Sequence, residues 1–205
     1  KLKYKKIKNL TRRSKYLLIH FFGGDYILIH LGMTGFFYLL KPKDKKFINA
    51  SFYINKKINK KHNHIIVYLK NGYNLIYNDI RRFGFMKYYK KSTRKSNNFL
   101  IKLGPEPLSK KFNASYLESL AKKRNILIKS LLMNQKIVSG LGNIYVNEAL
   151  YYSKINPLLL CNKIDKKKLI VLIKNIKKIL KTSIKFGGSS IKNYINIAGN
   201  KGSFQ

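Results

Sequence analysis

The run Gln135-Lys136-Ile137-Val138-Ser139-Gly140-Leu141-Gly142-Asn143-Ile144-Tyr145-Val146-Asn147-Glu148 holds the residue types and spacing most able to do chemistry. Gly140 and Gly142 let the backbone turn tightly and approach a ligand with no side chain in the way. A helix expected to start at Asn143 offers unpaired N–H groups and the positive end of its macrodipole, an environment suited to a phosphate. Asn143 adds an amide NH2 that can donate to a phosphate oxygen. A plain helix–turn–helix corner capped by Asn143 fits the same residues, and local physics does not decide between the two. Elsewhere the chemical inventory is sparse. The seven acids (Asp25, Asp44, Asp79, Glu106, Glu118, Glu148 and Asp165) are scattered, with no carboxylate dyad, triad or metal-ligating cluster. Glu148, read as a first-turn acid, would either support a site or interact with the macrodipole.

The elements that must position this corner change character along the chain. Up to Tyr89 the sequence reads as strands and turns. Lys1–Asn9 suits an edge strand, and Thr11-Arg12-Arg13-Ser14-Lys15 leads into the β-rich run Tyr16–Phe21. Gly23-Gly24-Asp25 turns into a second run, Tyr26–Leu31, making a hairpin. Leu31-Gly32-Met33-Thr34-Gly35 interrupts the strand, which resumes from Phe36 to Leu40. Residues 43–61 read as a polar loop. Asn71-Gly72 between His64–Leu69 and Tyr73–Tyr77 is a strong hairpin signal. Asn78-Asp79-Ile80-Arg81-Arg82-Phe83-Gly84-Phe85 precedes a last short strand to Tyr89.

Lys90–Asn98 is a charged linker, and the two prolines of Leu103-Gly104-Pro105-Glu106-Pro107-Leu108 forbid a continuous helix there. From Ser115 the period turns helical. Ser115-Tyr116-Leu117-Glu118 has capping-box spacing, and helices are expected near 116–124, 126–134 and 143–153. A longer one starts near Asp165, with Leu169, Leu172, Ile173, Ile176, Ile179, Leu180 and Ile184 on one face, and ends at Gly187-Gly188. The expected class is α+β: a β half followed by a helical half.

At 205 residues and 45% hydrophobic content the chain can build a real core. Forty-four Lys and Arg against seven acids give a formal charge of +37, which favours a polyanion. The joint richness in Lys, Asn, Ile and Tyr also fits an AT-biased coding sequence, so part of that charge is solvated surface. The single cysteine, Cys161, excludes a disulfide framework or an internal cysteine zinc site and reads as a buried small hydrophobe. No apolar run reaches transmembrane length.

Seven segments, in order, carry a resemblance: Arg12-Arg13-Ser14-Lys15-Tyr16-Leu17-Leu18, Ile29-His30-Leu31-Gly32-Met33-Thr34-Gly35, Asp79-Ile80-Arg81-Arg82-Phe83-Gly84, Leu103-Gly104-Pro105-Glu106-Pro107-Leu108, Gly140–Glu148, Gly187-Gly188-Ser189-Ser190 and Gly199-Asn200-Lys201-Gly202-Ser203-Phe204-Gln205. Together they resemble formamidopyrimidine-DNA glycosylase, a bifunctional repair enzyme that removes oxidised purines. The resemblance implies an N-terminal antiparallel β-sandwich over residues 1–91, a linker over 92–112, and a helix–two-turn–helix domain over 113–205. Lys15, His30, Asn143 and Lys129 would hold DNA phosphates. Without the resemblance, Lys15 and Lys129 would be solvated lysines and His30 a structural strand histidine. Met33, Arg81 and Phe83 match the residues the family inserts into the duplex. An apolar wedge and an aromatic ring can fill the gap left by an extruded base, and a guanidinium can hydrogen-bond the orphaned partner. The competing assignment makes Met33 and Phe83 core residues and pairs Arg81 with Asp79.

The same resemblance makes residues 187–203 a lesion-capping loop, with Ser189, Ser190, Gly199 and Gly202 among its small residues. Ser203 departs from the aromatic expected there. The wedge residues argue against the sister family, endonuclease VIII, which acts on oxidised pyrimidines.

The family's nucleophile is an N-terminal proline whose secondary amine forms a Schiff base with the sugar C1′, followed by β,δ-elimination. The chain begins at Lys1 without Pro-Glu and ends before a four-cysteine zinc finger. The expectation is therefore an enzyme whose catalytic head and single structural zinc lie outside these residues, leaving this stretch without a catalytic residue of its own or a bound cofactor. The implied partner is double-stranded DNA carrying oxidised purines. The implied setting is a monomer at the nucleoid of a bacterial cytoplasm, with no membrane. Rival classes are a damaged-DNA-binding protein that has lost the chemistry and a ribosomal or other RNA-binding protein.

Overall fold

The computed structural model describes residues 2–41, 58–92 and 97–188, together with the backbone of 46–49. The positions Ser189, Ser190, Gly199 and Gly202 of the expected lesion-capping loop lie outside the described residues. The strands are β1 (Ile7–Arg13), β2 (Tyr16–Phe21), β3 (Tyr26–His30), β4 (Phe36–Lys41), β5 (Lys46–Asn49), β6 (Asn63–Tyr68), β7 (Asn74–Asn78) and β8 (Phe85–Tyr89). They form two four-stranded sheets, ordered β1-β2-β3-β8 and β5-β4-β7-β6. Five helices follow: α1 (Asn98–Ile101), α2 (Ala114–Ala121), α3 (Ile128–Met133), α4 (Asn143–Tyr152) and α5 (Lys166–Lys185). The fold is α+β, an antiparallel β-sandwich followed by a helical domain. The chain groups into two compact units, residues 1–26 with 89–182, and 27–88 with 183–205.

In the first unit, β1 and β2 pair antiparallel, with Leu10 opposite Ile19 and Arg13 opposite Tyr16. The strand expected over residues 1–9 in fact runs through Arg12 and Arg13 and reverses at Ser14–Lys15. Ser14 adopts a left-handed φ of 56°. The turn carries no Gly or Asn signal because residues distant in sequence hold it, as described below.

The helical core is apolar and tightly packed. Phe112, Leu117, Ile128, Leu131, Leu132, Leu141, Leu150, Leu169 and Leu172 are fully buried, each contributing about 1.5–3 kcal/mol of transfer free energy as an upper bound. The capping box at Ser115 is not formed. Asn113 is the N-cap of α2, its side-chain oxygen accepting from the Tyr116 N–H at 2.9 Å, because an Asn two residues earlier caps as well as a Ser. Glu118 instead pairs with Lys122 at 2.8 Å and Lys166 at 3.6 Å. Asp165 caps α5, accepting from the Lys168 N–H at 2.7 Å. In the linker, α1 is an unexpected single turn capped by Asn97, which also donates to the Tyr26 hydroxyl at 2.7 Å.

In the second unit, Phe36 pairs with Asn78 and Tyr38 with Ile76 across β4 and β7. Phe36, Tyr38 and Ile76 form a buried cluster flanked by Leu40 and Ile58. Strand β5 lies in the stretch read as a polar loop and pairs with β4, showing that a short edge strand needs little apolar signal. The Asn-Gly hairpin is present as a three-residue loop. Gly72 takes φ 82° while the Leu69 N–H donates to the Tyr73 carbonyl at 2.8 Å. The α5 terminus ends as expected at two glycines of positive φ, with the Gly188 N–H on the Ser183 carbonyl at 2.8 Å.

Candidate nucleic-acid interface

The corner before α4 is built by Gln135. Its side-chain oxygen accepts from the Gly140 N–H at 2.7 Å, and its amide NH2 donates to the carbonyls of Leu141 at 2.9 Å and Met133 at 3.0 Å. These bonds hold the turn with Gly140 at φ 91°, a conformation that favours glycine. Gly142 is the N-cap of α4, and no side chain caps the helix. Asn143 is therefore the first helical residue and not the cap. It is exposed, its side-chain oxygen meeting the Asn147 amide at 3.4 Å. An uncapped helix start beside an exposed carboxamide can receive an anion.

Lys15 joins this corner. Its ammonium lies 3.5 Å from where a Cβ on Gly142 would stand. Partial burial lowers the ammonium pKa below the ordinary lysine value by stripping water from the charged form. The β1–β2 turn is aimed by Glu106. Its carboxylate accepts from the Ser14 N–H at 2.6 Å, from Arg13 at 2.9 Å and from Arg12 at 3.1 Å. Burial alone would push the Glu106 carboxyl up, but these three donors together hold it below the usual value. Arg13 also donates to the Ser139 hydroxyl and the Gly104 carbonyl, both at 2.6 Å. The Ser14 hydroxyl meets Gln135 at 3.4 Å.

Glu106, Arg12, Arg13, Gln135 and Ser139 thus hold the β1–β2 turn and the corner before α4, a role their sequence positions do not announce. The available signal was a lone glutamate between two prolines, in a chain with seven acids. The prolines fix the backbone whose carbonyls and carboxylate receive Arg13.

Lys129 is half-buried in the first turn of α3. Glu148 is the sixth residue of α4 and lies beyond its first turn, which corrects the expected dipole contact.

In the second unit, Met33 and Phe83 are each 58% exposed. Arg81 lies against both, its guanidinium 3.3 Å from the Met33 sulfur and 4.6 Å from the Phe83 ring centre. The assignment of Met33 and Phe83 to the core is excluded. Arg81 meets Asp79 only through its backbone N–H, at 3.3 Å. Exposed Met and Phe side chains bridged by a guanidinium form an apolar wedge with a hydrogen-bond donor.

His30, at the end of β3, accepts from the Gly32 N–H through Nδ1 at 3.1 Å and stacks on Phe85. An accepting Nδ1 leaves Nε2 as the protonated nitrogen of the neutral ring.

Cys161 does not fit a zinc site. It is fully buried, with its sulfur 3.3 Å from the Arg124 carbonyl and 3.5 Å from that of Ala121. No helix among the described residues is long and apolar enough to cross a membrane.

A β-sandwich followed by helices, with a phosphate-suited turn before α4, defines a helix–two-turn–helix DNA-binding class. Two family models match the chain: the formamidopyrimidine-DNA glycosylase N-terminal domain over residues 1–86 and the formamidopyrimidine-DNA glycosylase H2TH domain over 103–194. The formamidopyrimidine-DNA glycosylase of Roseobacter denitrificans is 37% identical over 98% of this chain and 69% of its own length. That of Vibrio atlanticus is 40% identical over 97% and 68%. Among solved structures, MutM in complex with carbocyclic 8-oxo-G containing DNA matches with a TM-score of 0.77 at 31% identity, covering 92% of this chain and 65% of that one. Lactococcus lactis FPG (MutM) with FAPY-dG containing DNA matches at 0.78 and 30%, covering 98% and 68%. This chain belongs to the formamidopyrimidine-DNA glycosylase family, and it spans about two thirds of the length of these relatives.

Proposed function

We propose that this chain grips duplex DNA through two sets of residues and serves base-excision removal of oxidised purines. The family is one of DNA glycosylases with lyase activity. Lys15, Asn143 and Lys129 in the first unit, and His30 in the second, hold backbone phosphates. Met33, Arg81 and Phe83 enter the stack where the lesion base leaves, with Arg81 addressing the orphaned partner base. Within the first unit, Glu148 on α4 is the candidate for a supporting carboxylate.

The single observation carrying this reading is the wedge itself: two exposed apolar side chains bridged by one guanidinium. A core role would bury them. An RNA-binding surface supplies no reason for a methionine, an arginine and a phenylalanine to share one exposed cluster. The relatives solved with 8-oxo-G and FAPY-dG DNA support oxidised purines, and not pyrimidines, as the lesions.

The reaction is proposed to run in the intact protein through an N-terminal proline amine, with Ser189, Ser190, Gly199 and Gly202 in a loop over the extruded base. The intact protein would carry one structural zinc and act as a monomer at the bacterial nucleoid, in the cytoplasm. Borohydride trapping of the full-length protein on a duplex with one 8-oxoguanine tests this. A covalent adduct is expected. Absence of an adduct, with tight lesion binding retained, would instead define a binding protein without the nucleophile.

A further inference from the structure

Asp79 and Tyr77 form a buried pair beneath the exposed wedge. Asp79 is 0% exposed, and its carboxylate receives four donors. The Thr34 hydroxyl reaches one oxygen at 2.5 Å and the Arg81 N–H reaches the same oxygen at 3.3 Å. The Tyr77 hydroxyl reaches the other at 3.0 Å and the Gly84 N–H at 2.9 Å. Thr34 follows Met33, while Arg81 and Gly84 bracket Phe83. One carboxylate therefore ties the loop carrying Met33 to the loop carrying Arg81 and Phe83.

Glycines make this arrangement possible. A Cβ on Gly84 would lie 1.8 Å from the Tyr77 hydroxyl oxygen, and one on Gly35 would lie 2.4 Å from it. A Cβ on Gly32 would meet the Gly84 nitrogen at 2.7 Å. The two loops thus close backbone to backbone around a single phenol. Arg82, between Arg81 and Phe83, takes a left-handed φ of 56°, so the loop leaves regular geometry where it presents the wedge.

We infer that Tyr77 and Asp79 are positioning residues that pre-set Met33, Arg81 and Phe83 as one rigid wedge before DNA arrives. This rests on the wedge reading above and deepens it. A pre-set wedge enters the stack without first being ordered, so the pair governs base extrusion and leaves phosphate grip alone. Tyr77 is buried, and its hydroxyl donates to the Asp79 carboxylate inside the cradle of Gly35 and Gly84. Removing that hydroxyl takes a donor from Asp79 and changes no exposed group.

The test uses full-length protein carrying Tyr77→Phe, Asp79→Asn or Met33→Ala. The substrates are a lesion duplex with 2-aminopurine beside the lesion and its undamaged counterpart. Tyr77→Phe keeps the ring inside the glycine cradle and removes one donor; Asp79→Asn keeps the shape and removes the charge. Each is expected to slow the fluorescence rise of extrusion about 10- to 150-fold, matching one lost charge-assisted hydrogen bond, with undamaged-duplex affinity within about twofold. Equal losses on both duplexes would assign the pair a merely structural role and overturn the inference. So would unchanged extrusion in Tyr77→Phe while Met33→Ala slows it. Unchanged extrusion in Met33→Ala would instead overturn the wedge reading. A thermal melt with midpoint near that of the unsubstituted protein identifies the variants in which extrusion is read; if Asp79→Asn does not fold, Tyr77→Phe decides.

Discussion

The Lys15 ammonium stands 3.5 Å from the position a Cβ on Gly142 would occupy, beside the uncapped start of α4. A strand turn and a helix terminus thus present a cation and free N–H groups at one point. Replacing Lys15 with Ala should weaken binding to duplexes of any sequence and lower the slope of log affinity against log salt by about 0.9, one phosphate's worth. Fluorescence anisotropy between about 50 and 200 mM KCl measures it, over the range where that dependence is steep. An unchanged slope would remove Lys15 from the phosphate contacts.

Gly140 and Gly142 fill different needs, and substitution separates them. A Cβ on Gly140 would meet nothing closer than Ser14 Cα at 3.8 Å, yet its φ of 91° disfavours any L side chain. Gly140→Ala should cost about 1–2 kcal/mol through that backbone alone. Gly142 is extended at φ −128°, so Gly142→Ala should destabilise less while crowding the phosphate side of Lys15. Urea melts paired with anisotropy would reveal opposite rankings in stability and in DNA affinity. The same ranking in both would contradict the division.

Glu106 links acid stability to the same corner. Its carboxyl is held below its ordinary value of 4.5 by Ser14, Arg13 and Arg12, against the upward push of burial. A carboxyl depressed in the folded state contributes stability that is fully present above its unfolded value. That contribution is lost as pH falls through the folded value. Thermal stability should therefore decline below about pH 4.5, starting from the unfolded reference. Glu106→Gln should flatten part of that decline and cost about 1–2 kcal/mol at neutral pH, the charge-assisted bonds being partly screened by solvent. An acid limb of the same steepness in Glu106→Gln would assign the loss to other carboxylates, Asp79 first among them.

Much of this was legible in the sequence because the signals were local. The Asn71-Gly72 hairpin and the glycine-rich turn before Asn143 state their geometry within a few residues and are present, while the expected α5 stripe is buried from Leu169 to Ile179 but leaves Leu180 half-buried and Ile184 exposed as the helix reaches its end. Met33 and Phe83 beside glycines pointed to loop tips, and both side chains are exposed. What escaped were arrangements set by partners far along the chain. Ser14 turns a strand without a turn residue because Glu106, 92 positions away, receives its N–H. Asn113 took the α2 cap in place of Ser115, and Glu118 pairs with Lys122 and Lys166 instead of closing a capping box. In the sequence Tyr77 is a strand end and Asp79 a scattered acid. Only the approach of Gly35 and Gly84 brings them under one roof.

Charge sets two effects of opposite sign. The chain carries +37, and α5 contributes eight lysines and no acid of its own, Glu118 reaching only Lys166. Lys174 and Lys178, Lys177 and Lys181, and Lys181 and Lys185 stand four residues apart, where like charges destabilise a helix by about 0.2–0.5 kcal/mol per pair. Self-repulsion of this kind opposes the compact state and is screened by salt. The midpoint of thermal unfolding should therefore rise as KCl increases from about 50 to 500 mM, as the Debye length contracts toward a few ångströms. Over the same range affinity for duplex DNA should fall, because released counterions drive that association. Differential scanning fluorimetry and anisotropy on the same samples would show the two trends crossing. A midpoint that drops with salt would mean that the ion pairs of Glu106 and Glu118 outweigh lysine repulsion.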